Sequence, residues 1–453
     1  MASTRLYRTA GTPTLNTKYT ISVWVKRCEI TFADSFILDG YVDASNRFKL
    51  AFAGSDKLEY YNTHSGSNTF NILTTRVFRD NTSWMHIVLS VDTTQGTAAD
   101  RVKLYINGIQ QDAFDTDTYP SQDEANNVVN ESGATISIGD YQGGSNGFDG
   151  LMSQFIFIDG TAYAASTFGS TDSTSGEWKP NANPSVTYGN NGFNLSFETD
   201  TALGDDTSGN TNDFTMSGTG TQTQDCPSNN YTTFNTLNYT TISGIQSNGI
   251  QNGNTFIATS TSNSNFSFGS LLAFPGTGKF YIEFKVGNLG GDYALGIGEV
   301  QAMQSILSNG AASKFCNNAK GWGYLKSGNK ENGGSGGSYG DTYANYDYIG
   351  IAYNNGALWF SKNGTWQNSA TATEIANGTT TYAAYSGIDT SASYFMMFDG
   401  FNDSMCEMNT GNGYFRTTQV GSPNNPSTGD TSAKFKYAVP TGLQPLTTKG
   451  LNT

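Results

Sequence analysis

Residues 19–26 set the tightest constraint on the fold. In Tyr19-Thr20-Ile21-Ser22-Val23-Trp24-Val25-Lys26, the aliphatic Ile21, Val23 and Val25 alternate with Ser22, Trp24 and Lys26. A period of two belongs to a strand with one face turned to a core. Short runs of strand character recur at Ser35–Leu38, Arg47–Phe52, Leu58–Tyr61, His86–Asp92, Val102–Ile106, Ala134–Ile138 and Gln154–Ile158. Each is bounded by Gly, Asn, Asp or Thr, the residues that favour turns. Asn107-Gly108, directly after Leu104-Tyr105-Ile106, predicts a tight hairpin, because both residues tolerate positive φ. No segment sustains a 3.6-residue period, so any helix is expected to be short.

A second series follows: Phe256–Thr259, Lys279–Val286, Ala294–Gly298, Tyr348–Tyr353, Ala357–Ser361, Thr380–Tyr385 and Tyr394–Phe398, again with a turn dipeptide, Asn363-Gly364. Between the two series, residues 217–235 are rich in Gly, Thr, Ser and Asn. The fold class expected is all-β: two antiparallel β-sandwich (jelly-roll) domains in tandem. Their bounds are residues 1–220 and 241–453, joined by a linker at 221–240.

Composition narrows the function. Only 14% of residues are charged, and 24 basic residues face 38 acidic ones, a net charge of −14. Without a surplus of cations to neutralise phosphates, nucleic acid is not an expected partner, and an anionic bilayer is no better. No apolar run is long enough to span a membrane, and the first residues lack the apolar stretch of a secretory leader. Cys28, Cys226, Cys316 and Cys406 are far apart in sequence and form no CxxC pair, and the only histidines are His64 and His86. Free thiols without a zinc site are expected, with Cys316–Cys406 the one pairing worth checking. Read as made without a leader, yet polar mostly through neutral side chains like an exterior protein, the chain is expected to belong to a virus particle.

Three resemblances sharpen this. Trp84-Met85-His86-Ile87-Val88, Val102-Lys103-Leu104-Tyr105-Ile106-Asn107-Gly108, Ile136-Ser137-Ile138-Gly139 and Phe148-Asp149-Gly150-Leu151 follow in an order that resembles the laminin-G-like branch of the concanavalin-A-like lectin/glucanase superfamily. The likeness covers residues 1–220. Gly278-Lys279-Phe280-Tyr281-Ile282-Glu283-Phe284, Leu295-Gly296-Ile297-Gly298, Gly321-Trp322-Gly323-Tyr324 and Ala357-Leu358-Trp359-Phe360-Ser361-Lys362-Asn363-Gly364 resemble a SPRY-type sandwich over residues 240–446. That family binds proteins through loops and is not enzymatic. The two modules together, with Thr4-Arg5-Leu6-Tyr7-Arg8-Thr9 at the start, look like structural proteins of tailed bacteriophages. The resemblance implies a virion protein on the particle exterior, a tail fibre, spike or appendage that binds host-surface glycan or protein. Its partners would be other virion proteins and the host surface, and the chain would form a homo-oligomer, a trimer by preference. The alternatives are a capsid- or tail-decorating protein and a glycan depolymerase.

Individual residues decide among chemistries. Glycoside hydrolysis needs two carboxyl groups about 5 to 9.5 Å apart, which the superfamily's glucanases carry on one strand as E-x-D-x-x-E. Glu29, Glu59, Glu177 and Glu283 are isolated, so no enzyme is expected and no catalytic residue is assigned. His86 is expected to be hydrogen-bonded and buried. For calcium, Asp205, Asp206, Asn210 and Asp213 offer hard oxygen ligands at short spacing, and Asp140 and Asp149, with Asn146, form a second candidate. Asx-turns would use the same side chains. For sugar or protein binding, the Gly-rich stretch 321–345 carries Trp322, Tyr324, Tyr339, Asp341 and Tyr343, and Asn146 is added from the first domain. Tyr339, Asp341 and Tyr343 are expected to be exposed. Trp322 and Tyr324 are read either as ligand contacts or as core, and Trp24, Trp84, Trp359 and Phe360 as core.

Overall fold

The computed structural model describes residues 4–28, 33–142, 144, 146–235, 245–259, 265–302 and 314–451. The chain divides into two compact units, Met1–Gln222 and Thr223–Thr453. Among the described residues no helix is long and apolar enough to cross a membrane, and all four cysteines are free thiols.

In the first unit an eight-stranded antiparallel sheet runs in the order Phe114–Thr118, Ser67–Val77, Lys57–His64, Asn46–Phe52, Ser35–Asp43, Thr135–Ile138, Arg5–Thr9 and Thr215–Ser217. A six-stranded sheet runs Phe193–Leu195, Gly150–Asp159, Lys18–Arg27, Met85–Asp92, Val102–Ile106 and Ile109–Gln111. Ile21, Val23 and Val25 of the smaller sheet meet Leu38, Phe48 and Leu50 of the larger one in a single core. The alternation read in residues 19–26 is thus the inner face of a sandwich.

The opposite face of the smaller sheet is also covered. Trp24 stacks on His86, centroids 4.6 Å apart, and Trp178 donates its Nε1–H to His86 Nδ1 at 2.9 Å. His86 therefore carries its proton on Nε2, facing Ser22 Oγ at 2.9 Å. Burial lowers the His86 pKa to about 3, so the ring is neutral. The Trp178 indole reaches this position because Gly108 has no side chain. A Cβ there would lie 2.4 Å from Trp178 Cζ3, and its φ of +78° suits glycine.

The second unit repeats the architecture. Ile245–Gln251, Phe256–Thr259, Met405–Asn409, Lys279–Asn288, Tyr348–Asn354, Ala357–Lys362 and Thr365–Trp366 form one sheet, with Gln444–Pro445 pairing in parallel to Lys279–Asn288. Asn265–Gly269, Ser393–Phe401, Tyr293–Gly298, Gly321–Leu325, Asn329–Asn332 and Ser335–Ser338 form the other, with Phe274–Pro275 beside Ser393–Phe401. Ile282, Phe284, Leu295, Ile297 and Phe398 fill the space between them.

Two expectations need correction. Residues 225–234 are not a free linker: Tyr231 and Phe234 are each 1% exposed within the second unit, and Tyr231 donates its hydroxyl to Asp430. Small polar residues suggested a loose chain, but two aromatic rings suffice to anchor it. Thr380–Tyr385 is not a strand; Thr380–Tyr382 is a 3-10 turn. It follows the helix Ala372–Asn377, which Thr371 and Glu374 start with a reciprocal capping box and Gly378 ends in the left-handed region.

The chain's last part covers the outer face of the first-named sheet of this unit, where Phe435 and Leu443 pack with Tyr281 and Trp359. Glu283 fastens it. Its Oε1 accepts from Tyr437 N at 2.8 Å and Tyr281 Oη at 3.0 Å. Its Oε2 accepts from Lys436 N at 2.8 Å and Asn409 Nδ2 at 3.3 Å. Burial, against the pull of these donors, moves the Glu283 pKa up to about 7.

Candidate functional site

The stretch 321–345 turns inward. Tyr324, Tyr339 and Tyr343 are 0, 7 and 3% exposed and pack with Phe360 in the core. Their hydroxyls are engaged: Tyr324 and Tyr343 donate to the carbonyls of Asp341 and Tyr324, and Tyr339 Oη accepts Phe360 N at 3.2 Å. The expectation of exposed Tyr339 and Tyr343 is therefore corrected, because rings in a Gly-rich stretch fold back where apolar area can be buried. Trp322 is half-buried, edge-on to Tyr394 with centroids 5.7 Å apart. Only Asp341 of this set is exposed.

The Asp205–Asp213 loop is knotted by its own side chains. Asp206 Oδ1 accepts from Asn194 N and Ser208 N at 2.8 and 2.9 Å. Its Oδ2 accepts from Ser208 Oγ and Asn212 N at 2.8 and 2.9 Å. Both oxygens have two donors each, which leaves no lone pair aimed at a cation. Asp213 Oδ1 accepts Asp206 N, Asn210 donates to the carbonyls of Gly189 and Gly192, and Asp205 is exposed. Of the second calcium candidate, Asp140 is buried, Asp149 half-buried and Asn146 exposed. Among the described residues no group of three or more His, Cys, Asp or Glu side chains is disposed to hold a metal ion.

A different surface gathers chemistry. Across the eight-stranded sheet, registers align Thr215, Tyr7, Ser137, Asp39, Lys49, Tyr61, Asn71 and Thr118 in one row. A neighbouring row holds Thr9, Thr135, Tyr41, Arg47 and Thr63. Their chain neighbours Leu6, Ile136, Leu38, Phe48, Tyr60 and Ile72 point into the core, so both rows face away from the partner sheet. Tyr7, Tyr41, Tyr61 and Asn71 are half-buried there, as is Tyr141 nearby, whereas Ser137, Asp39 and Lys49 are buried.

Cations and rings alternate on this face. Arg5 lies 4.4 Å from the Tyr7 centroid, Arg47 4.8 Å from that of Tyr141 and Lys49 5.4 Å from that of Tyr61. Lys49 is also paired with Asp34 at 2.6 Å and with Glu59. Several buried polar atoms of the same face lack a hydrogen-bond partner of normal geometry: both oxygens of Asp39, Ser137 Oγ, Asn71 Oδ1, Arg5 Nε and Arg47 Nε. Burial raises the Asp39 pKa to about 7. The Gln142 N–H, Arg47 and Arg5 pull it down, and Asp140 adds to the rise. At the end of the row next to Thr215, a polar groove of about 360 Å³ opens between Tyr7, Arg8, Thr9, Asn212 and Asp213.

Sequence reasoning missed this face. Its residues alternate with core residues in the sequence, as in Arg47-Phe48-Lys49-Leu50, but their assembly into rows depends on strand order and register.

A family model described as concanavalin A-like lectin/glucanases superfamily, of the laminin-G type, matches residues 4–164. The first unit has a concanavalin A-like fold. No curated protein sequence matches the chain. Among solved structures, a native heptameric SAP-like pentraxin from Limulus polyphemus is similar at 16% identity and TM-score 0.27, over 36% of this chain and 72% of that one. The SPRY domain of human HERC1 is similar at 11% identity and TM-score 0.28, over 39% and 96%. Domain 4 of an extracellular arabinanase from Geobacillus stearothermophilus, in complex with arabinotriose, is similar at 20% identity and TM-score 0.25, over 32% and 63%.

Proposed function

We propose that this chain is a non-catalytic recognition protein on the exterior of a tailed-phage virion, where it engages a glycan of the host surface. The observation that carries the reading is the outward face of the eight-stranded sheet, where half-buried Tyr7, Tyr41, Tyr61 and Tyr141 surround polar atoms without partners. Tyrosine offers a large flat contact and a hydroxyl at little conformational cost, which suits weak and specific polar ligands. A site on strands is held more rigidly than one on a loop. Repetition in a homo-oligomer would raise weak affinity by about 10² or more. The low positive charge agrees with a partner that is not nucleic acid.

The test is competition. Purified chain added to host cells is expected to block adsorption of the particle, and enzymatic stripping of surface glycan is expected to abolish its binding. Binding that persists after stripping would replace glycan with protein as the partner. One observation favours a second reading, glycan hydrolysis: Asp39, with a pKa of about 7, interacts electrostatically with Asp140. Release of reducing ends from the bound polysaccharide would support it.

A further inference from the structure

We propose that Lys49 and Asp34 join in an intramolecular isopeptide bond, with Glu59 as the proton relay and one water as the product. The three side chains come from separate places. Asp34 stands just before Ser35–Asp43, Lys49 lies on Asn46–Phe52 and Glu59 on Lys57–His64. Lys49 Nζ sits 2.6 Å from Asp34 Oδ2 and also contacts Glu59 Oε2. An amine this close to a carboxyl oxygen stands about 3.5 Å from its carbon, the separation of a near-attack arrangement. Asp34 Oδ1, the other oxygen, accepts Gly54 N at 3.2 Å, a backbone donor placed where charge gathers during attack. The Lys49 side chain is 7% exposed, and the rings of Phe36 and Tyr61 lie 5.6 and 5.4 Å from its ammonium. Tyr141 packs on Phe36 in turn, centroids 5.0 Å apart. Exclusion of water around the nitrogen favours the amide over its hydrolysis, while the partly exposed Asp34 leaves the released water a way out.

The step begins with one proton. Burial pulls the Lys49 pKa down, but hydrogen bonds and charge from Asp34 and Glu59 outweigh it and hold the pKa above its usual value. The ammonium proton therefore leaves to a carboxylate rather than to solvent. Its transfer to Asp34 Oδ2 turns the ion pair into a neutral amine and a neutral acid, the forms a poorly solvated site penalises least. The Nζ lone pair then attacks Asp34 Cγ, and negative charge gathers on Oδ1 beside the Gly54 N–H. Glu59 takes a proton from Nζ and passes it to the Oδ2 hydroxyl. The Cγ–Oδ2 bond breaks, water departs, Oδ1 returns to a carbonyl and Glu59 is again a carboxylate. The atoms balance without an oxidant or co-reactant. One charge of each sign disappears, so the charge balance of the face is unchanged. All four cysteines are free thiols, and the amide gives the first unit a covalent tie between residues 15 apart. Such a tie removes freedom mainly from the unfolded chain.

The experiment is the intact mass of the full chain, denatured and reduced, followed until the spectrum stops changing. The wild-type protein should fall about 18 Da, one water, below the mass of its sequence. Trypsin should fail to cut after Lys49 and leave a branched peptide that joins the segment holding Asp34 to the one holding Lys49. Lys49→Arg, which keeps the charge between the two carboxylates, and Asp34→Ala should both stay at full mass. Glu59→Gln should form the link about a hundredfold more slowly, the scale of one general acid–base group. Circular dichroism matching the wild type shows that this variant folds. A wild-type protein that stays at full mass overturns the inference. So does a loss of water that persists in Lys49→Arg, since the dehydration then lies elsewhere, as in a cyclised aspartate. An unchanged rate in a folded Glu59→Gln overturns the relay role of this carboxylate.

Discussion

Two buried groups of the first unit should impose opposite pH dependences on its stability, and single variants should separate them. Asp39 is 1% exposed and its pKa is raised from 3.8 to about 7 by burial. Between these values the native state holds a proton that the unfolded chain releases, so stability falls as pH rises from 3.8 to 7. At about 1.4 kcal/mol for each pH unit, the full loss is about 4 kcal/mol. His86 is 0% exposed and its pKa is lowered from 6.5 to about 3 by burial. Here the unfolded chain binds the extra proton, so the contribution is complete above pH 6.5 and is lost as pH falls towards 3, about 5 kcal/mol in all. The two slopes nearly cancel in the wild-type protein. Asp39→Asn removes one, and His86→Gln, which keeps an acceptor for Trp178 and a donor for Ser22, removes the other. Urea unfolding of the first unit's transition at pH 4 to 8 measures the differences. Relative to wild type, Asp39→Asn should gain stability steadily as pH rises, and His86→Gln should gain as pH falls. A variant whose curve stays parallel to wild type would refute the burial argument for that residue.

Further expectations concern the packing that holds the sites. Gly108→Ala should destabilise the first unit by about 3 kcal/mol in thermal unfolding, because it adds left-handed strain and a clash with the Trp178 ring. Asp206→Ala should cost about 2 kcal/mol by stranding the N–H groups of Asn194, Ser208 and Asn212. A chelator should leave the melting temperature unchanged, and a drop on chelation would restore calcium to that loop. Glu283→Ala leaves the N–H groups of Lys436 and Tyr437 without their acceptor, a cost of about 3 kcal/mol. It should appear as early protease cleavage within residues 430–445, and wild-type resistance in the variant would contradict the fastening role of this carboxylate.

The strands were legible where one face is apolar and the other is not. Residues 19–26 alternate cleanly because Ile21, Val23 and Val25 face the core and the other side is built from Trp24, His86 and Ser22. The Asn107-Gly108 hairpin was legible because positive φ at both positions is a local demand. Ala372–Asn377 was not, since one capped turn leaves too short a pattern to show a period. The stretch 321–345 misled for a different reason. Its glycines and tyrosines fit an exposed loop and a buried β-hairpin equally well, and what decides is whether apolar area lies within reach. Tyr324 and Tyr339 find Phe360, a residue beyond the stretch itself. The tyrosine-lined rows were hidden because Tyr7, Asp39 and Tyr61 come together only through the order of strands in the sheet.

Asp39 shows how stability and binding part company on that face. Its burial, which outweighs the pull of the Gln142 N–H, Arg47 and Arg5, costs the fold free energy at neutral pH, and asparagine there should stabilise the protein above pH 7. A position that works against folding is most easily understood where the charge has another use. If that use is to accept hydroxyl groups, ligand binding favours the ionised form and releases a proton near pH 7. Affinity for the glycan should then rise between pH 6 and 8, on a face whose remaining charges are Arg5, Arg47, Lys49, Asp34, Glu59 and Asp140. Titration calorimetry in two buffers of different ionisation enthalpy measures the proton released. Asp39→Asn should abolish that release while raising stability. Release that persists in the variant would assign the proton to another group and leave the buried carboxyl of Asp39 without a part in binding.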